Sequence, residues 1–161
     1  MRKNVFLKTM FAVIIMIIAG INMRADNVTY QFSALGSSNI TEPSGDIDGN
    51  ISFTTQKNSA STSPAYNGGS GEIRLYFHSS GNGCSITLLP KNGATITEVK
   101  MTASSASNTT AVMYNVDGAS DAAASLLGTV YTISGISASA DLKIRNANTS
   151  NTQLRIVSIE V

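Results

Sequence analysis

One histidine and one cysteine, His78 and Cys84, are the residues of this 161-residue chain whose types most directly suggest covalent chemistry. An imidazole beside a thiol can generate a thiolate nucleophile. Five residues, Ser79-Ser80-Gly81-Asn82-Gly83, separate the two. If that stretch is a hairpin loop between strands Glu72–His78 and Cys84–Leu88, it sets them opposite one another, with Cβ atoms about 4.5–5.5 Å apart. Side-chain parity opposes the pairing. His78 falls with Arg74 and Tyr76 on the polar face of its strand, whereas Cys84 shares a parity with Ile86 and Leu88. A Cys84 that faces the core cannot serve one site with His78, and the reading preferred for it is a small buried hydrophobe. Intermolecular disulfide pairing is the alternative.

Other catalytic sets are missing. A single histidine excludes the His-Glu-x-x-His zinc peptidase site. Neither a Gly-x-Ser-x-Gly elbow nor a phosphate-cradling Gly-x-x-x-x-Gly-Lys occurs. A small hydrolase could still be assembled from scattered carboxylates such as Asp117, Asp121 and Asp141, but sequence spacing does not bring any two together. Asp46-Ile47-Asp48-Gly49-Asn50 resembles the start of a calcium loop, with Asp46, Asp48 and Asn50 as alternate oxygen donors. Calcium takes six to eight oxygens, usually including a later bidentate Glu, and here a hydrophobic strand follows instead. A turn before that strand accounts for the same residues, so no cofactor is expected.

Glycan recognition calls for flat rings and polar side chains on an exposed surface. The chain has no tryptophan. Tyr66, on a long loop, and Arg74 with Tyr76, on a polar strand face, are the residues best placed to meet a ligand. Packing in the core or in a hairpin is the preferred fate for each ring, and ligand contact the alternative. Tyr30, Tyr114 and Tyr131 sit among neighbours that suggest burial.

The elements that must position these residues are strands. Period-two alternation recurs at Val28–Phe32, Ile51–Thr54, Glu72–His78, Cys84–Leu88, Val99–Ala103, Ala111–Val116, Thr129–Ser134, Ala140–Arg145 and Leu154–Val161, each bounded by turn-forming residues. Eight or nine such strands predict an all-β, two-sheet antiparallel β-sandwich of jelly-roll-like type. Pro90-Lys91-Asn92-Gly93 reads as a tight hairpin turn. Ser120–Gly128 alone has a helical look, with Ser120 as cap and Gly128 as terminator; a plain loop is the alternative. In the last strand Leu154 and Ile156 fall on one face and Val157, Ile159 and Val161 on the other. That phase change predicts a β-bulge.

Ahead of the strands, Arg2, Lys3 and Lys8 precede an apolar run of eleven residues, Phe11–Ile21, and Met23-Arg24-Ala25 leads into a polar body. This is the order of a secretory signal peptide, expected over residues 1–25 with cleavage after Ala25. A bilayer-spanning helix needs about 17–25 apolar residues, so no span is expected after cleavage. Residues 26–161 then form one exported domain, bound for the periplasm, cell surface or medium. For this start site lipoprotein attachment is not expected, because no cysteine lies near the leader. Residues 26–161 hold seven basic and ten acidic side chains, a net of about −3. Nucleic-acid binding rests on a basic face, which this composition does not supply.

The succession Asn58–Tyr66, Glu72–Tyr76, Ile96–Thr102 and Gln153–Val161 resembles an accessory β-sandwich module of secreted bacterial surface proteins, often found beside Ig-like or nuclease-type domains. The likeness spans nearly all of residues 26–161, and its motifs are strand cores and a loop. It implies an exported bacterial accessory domain and brings no catalytic residues with it. The expected function is therefore non-catalytic binding of a glycan or surface protein. The second reading is assembly, with the final strand Arg155–Val161 adding to another subunit's sheet.

Overall fold

Short runs of alternating apolar and polar residues can bury one face only by pairing into sheets and stacking the sheets. In the computed structural model, which describes residues 27–161, this chain does so as an all-β sandwich of two antiparallel sheets. The expected leader over residues 1–25 lies outside the described residues. In chain order the strands are β1 (Thr29–Gln31), β2 (Ile40–Thr41), β3 (Gly45–Asp46), β4 (Ile51–Gln56), β5 (Ala65–Asn67), β6 (Glu72–Tyr76) and β7 (Ser85–Pro90). They continue as β8 (Ile96–Ala103), β9 (Val112–Val116), β10 (Ala122–Ala123), β11 (Ser125–Leu127), β12 (Val130–Ala138), β13 (Leu142–Asn146) and β14 (Gln153–Glu160). The larger sheet runs β11-β12-β8-β14-β6-β5-β2, with β1 also paired to β14. The smaller sheet runs β10-β9-β13-β7-β4-β3. Among the described residues no helix is long and apolar enough to cross a membrane.

The core lies between the sheets. Ile73 and Leu75 of β6, Val99 and Met101 of β8, Tyr131 and Ile133 of β12, and Leu154, Ile156 and Ile159 of β14 face it from one side. Phe53, Ile86, Leu88, Leu142 and Ile144 face it from the other. At one end Phe32 meets Phe53 and Tyr30 edge-on, with ring centroids 5.5 and 5.6 Å apart. Edge-to-face contact sets the positive rim of one ring against the negative face of the next.

The nine alternating segments all form strands, and five short ones bring the number among the described residues to fourteen. Two expected hairpins are absent. Chain on either side of Ser79–Gly83 joins different sheets, β6 the larger and β7 the smaller, and the same holds across Pro90–Gly93 between β7 and β8. The Pro90–Gly93 turn itself forms, with Asn92 and Gly93 at φ of 54° and 76°. Its role is to carry the chain across the sandwich. Ser120–Gly128 is not helical: Ala122 and Ala123 pair with Tyr114 and Met113, and Ser125–Leu127 then pairs with β12. Backbone partners in two different sheets outweigh the weak helical preference of a short Ala/Leu stretch.

The bulge in the last strand is present. Ile156 pairs with Ala103 and Ser158 with Thr102, so Val157 is an extra residue on β14. It returns Ile159 to the core face. The strand also lies inside the sheet, bordered by β8 on one side and by β6 and β1 on the other.

Candidate functional site

With Ile73 and Leu75 turned inward, alternation along β6 sends Glu72, Arg74 and Tyr76 to the outer face of the larger sheet. The register then decides what stands beside them. Arg155 of β14 pairs directly with Arg74, and Gln153 with Tyr76. Two arginines are thus set opposite one another, an arrangement that is unfavourable by itself on an antiparallel pair. Glu72 relieves it. Its side chain is almost wholly buried, and its Oε1 accepts from Arg74 Nε at 2.9 Å and Arg155 Nη1 at 3.4 Å. Arg155 Nε also donates to Gln153 Oε1 at 3.0 Å. A buried carboxylate holding two cations through charge-assisted hydrogen bonds keeps both guanidiniums flat and fixed.

Each guanidinium carries five N–H donors. Among the described residues, these contacts engage one from Arg74 and two from Arg155. The side chains remain 25 % and 32 % exposed. One acid to two bases leaves a net positive charge of one on the cluster. The same sheet shows the opposite ratio at Lys100, whose Nζ meets Glu98 at 2.8 Å and Glu160 at 3.1 Å. The outer face therefore carries a cationic cluster where β14 meets β6 and an anionic one farther along β14, where it meets β8.

Of the three residues singled out for ligand contact, Arg74 and Tyr76 share this face, and Tyr66 does not. Tyr66 pairs with Ile73 on β5, is 1 % exposed, and donates its hydroxyl to Gly36 O at 2.6 Å. Its ring takes the packed fate preferred for it, and the ligand contact offered as the alternative does not apply to Tyr66: the long loop closes as β5, and pairing with β6 turns the ring into the core. Glu72, Gln153 and Arg155 were not singled out. The signal that could have found Arg155 was its parity with Val157 in a strand otherwise built for burial.

The other candidates are separated or engaged. Cys84 N donates to Tyr76 O at 2.8 Å, so Cys84 stands against Tyr76 and not His78. Its thiol is fully buried, with Sγ 3.3 Å from Thr62 O, and burial pushes its pKa up. His78 Nδ1 instead lies 2.7 Å from Ser80 Oγ. Asp48 Oδ1 accepts the backbone N–H groups of Asn50 (2.8 Å) and Ile51 (2.7 Å), closing a turn. Asp46 forms an ion pair with Lys91. Among the described residues no cluster of three or more His, Cys, Asp or Glu side chains is arranged to hold a metal ion.

Asp117 accepts from the backbone N–H of Ser139, Ala140 and Asp141, and these bonds hold its carboxyl well below the usual carboxylate range. Asp121 is ion-paired to Arg145 at 2.7 Å. The final strand, expected as a free edge, has partners on both sides. The free edges belong to short strands, among them β11, which carries the exposed Leu126 and Leu127.

No protein-family model matches the chain, and no curated protein matches it.

Proposed function

We propose that the chain is an exported, non-catalytic binding module that recognises a glycan or surface protein through the outer face of its larger sheet, at Arg74 and Tyr76. The observation that carries this reading is the Arg74–Glu72–Arg155 cluster. A buried acid holds two partly exposed guanidiniums in place, with Gln153 and Tyr76 beside them. Preorganised donors on a rigid sheet lose little freedom when a ligand arrives, which favours recognition. The leader pattern and the resemblance to accessory modules of secreted bacterial proteins support an extracytoplasmic setting.

A glycan array together with pull-down from bacterial envelope material tests the reading. The chain is expected to retain a ligand that an Arg74→Ala/Tyr76→Ala variant releases. Equal retention by both, or none by either, would sink it. A second reading, assembly by strand addition, is favoured by one observation: β11 is a sheet edge bearing the 85 % exposed Leu127. Light scattering after size exclusion separates the two, since assembly predicts a mass that falls when Leu127 is changed to Ser.

A further inference from the structure

From the charge and setting of that cluster we infer that its ligand is an acidic glycan, and that a uronate carboxylate sits across the paired guanidiniums of Arg74 and Arg155. The inference rests on the binding reading above and narrows it to one ligand chemistry.

Charge comes first. A structural ion network gains most when bases and acids match, and the other network on this sheet departs from balance in the acidic sense, one Lys100 ammonium meeting Glu98 and Glu160. At Arg74 and Arg155 one carboxylate serves two directly opposed cations, through a single oxygen. A second carboxylate, brought from outside, would restore balance. Planar guanidinium forks receive carboxylates by paired N–H···O bonds, and Glu72 and Gln153 already hold the inner edges of these forks.

Placement then favours a sugar over a peptide. Peptides joining a sheet gain most from main-chain hydrogen bonds at a free edge. Here β6 lies between β5 and β14, and β14 between β6 and β8, so no backbone edge is open at the cluster. Recognition must be made by side chains on a sheet face. A guanidinium pair for a carboxylate and the Gln153 amide for hydroxyls are what a uronate residue needs, with the half-buried Tyr76 ring beside them.

Affinity electrophoresis of the full chain in gels containing polygalacturonate, alginate or hyaluronan, beside gels of their methyl esters, provides the test. Retardation is expected on at least one free acid, with affinity for its methyl ester weaker by about tenfold or more. Arg74→Ala and Arg155→Ala should each lower affinity by a similar factor. Arg155→Lys, which keeps charge but loses the fork, should fall between. Lys100→Ala should bind as the unaltered chain does, and circular dichroism verifies that every variant is folded. Equal binding to acid and ester would overturn the inference while sparing the binding reading. So would equal, arginine-dependent binding to polyglutamate, or failure on all three acids with a neutral glycan or envelope protein still held through Arg74 and Tyr76. Failure with every probe and with envelope material removes both.

Discussion

Asn146 is fully buried at the end of β13, and its amide joins parts of the chain that do not pair as strands. Nδ2 donates to Leu75 O at 2.9 Å and to Thr152 O at 3.3 Å, while Oδ1 accepts from Asn148 N at 3.0 Å. Removing a buried hydrogen-bonding partner leaves its mates unsatisfied, at about 1–3 kcal/mol. Asn146→Ala is therefore expected to lose roughly that much in urea unfolding. Burial also governs Cys84. Its thiol pKa is raised in the fold, so stability is flat below the unfolded thiol pKa and declines once pH rises beyond it. Iodoacetamide at neutral pH is expected to modify the native thiol more than about tenfold more slowly than the urea-unfolded chain. Asp117 has the opposite sign. Its carboxyl pKa is lowered by backbone donors, so its contribution is complete above the unfolded carboxylate pKa, about 3.9, and is lost as pH falls. Melting temperatures at pH 7 and pH 3 should accordingly differ less for Asp117→Asn than for the unaltered chain. Of these roles only the burial of Cys84 was legible in the sequence, from its parity with Ile86 and Leu88. Asn146 reads as a strand-ending polar residue and Asp117 as one carboxylate among ten, because the groups that define them arrive from distant segments.

Elements were legible where local pattern decides them. Nine strands follow from alternation because each has an apolar face long enough to require burial. The five others have two or three residues and no such face: Gly45–Asp46 and Ala122–Ala123 are strands only because a neighbour offers them backbone partners. Pairing was legible less often than existence. Ser79–Gly83 and Pro90–Gly93 carry the residues of tight turns, yet each links two sheets, and turn chemistry does not distinguish a hairpin from a crossing. Gly83 shows what the crossing demands. A Cβ there would lie 2.5 Å from Tyr76 O and 2.6 Å from Asn146 O, both backbone atoms. Gly83→Ala must therefore push the passage away from the ends of β6 and β13, with an expected loss of roughly 1–3 kcal/mol. Gly49→Ala is the control, since a Cβ there meets nothing within 4 Å. Its stability in the same urea titration should stay within about 0.5 kcal/mol.

At the scale of the molecule, β14 is the strand on which both sheet and site depend. Arg155 reaches Arg74 only because the last strand inserts between β8 and β6, a pairing that joins residues far apart in sequence. Candidate residues could be placed on faces from the sequence, but their juxtaposition had to wait for the sheet order. The same insertion makes the final strand unavailable to a neighbouring subunit, since a partner would have to displace β8, β6 or β1. Leu154, Ile156 and Ile159 are fully buried along it. Burial of each aliphatic side chain contributes about 1.5–3 kcal/mol, and a domain's whole stability is about 5–15 kcal/mol. Losing all three, with the backbone bonds on both flanks, should exceed what the remaining strands can supply. A chain ending at Thr152 is therefore expected to give the circular dichroism of an unfolded polypeptide, with no cooperative thermal transition. Were the last strand an assembly arm instead, the same truncation would leave a folded monomer with an intact β signal and a lower mass in light scattering. That outcome would contradict the central position of β14 and, with it, the cross-strand origin of the arginine pair.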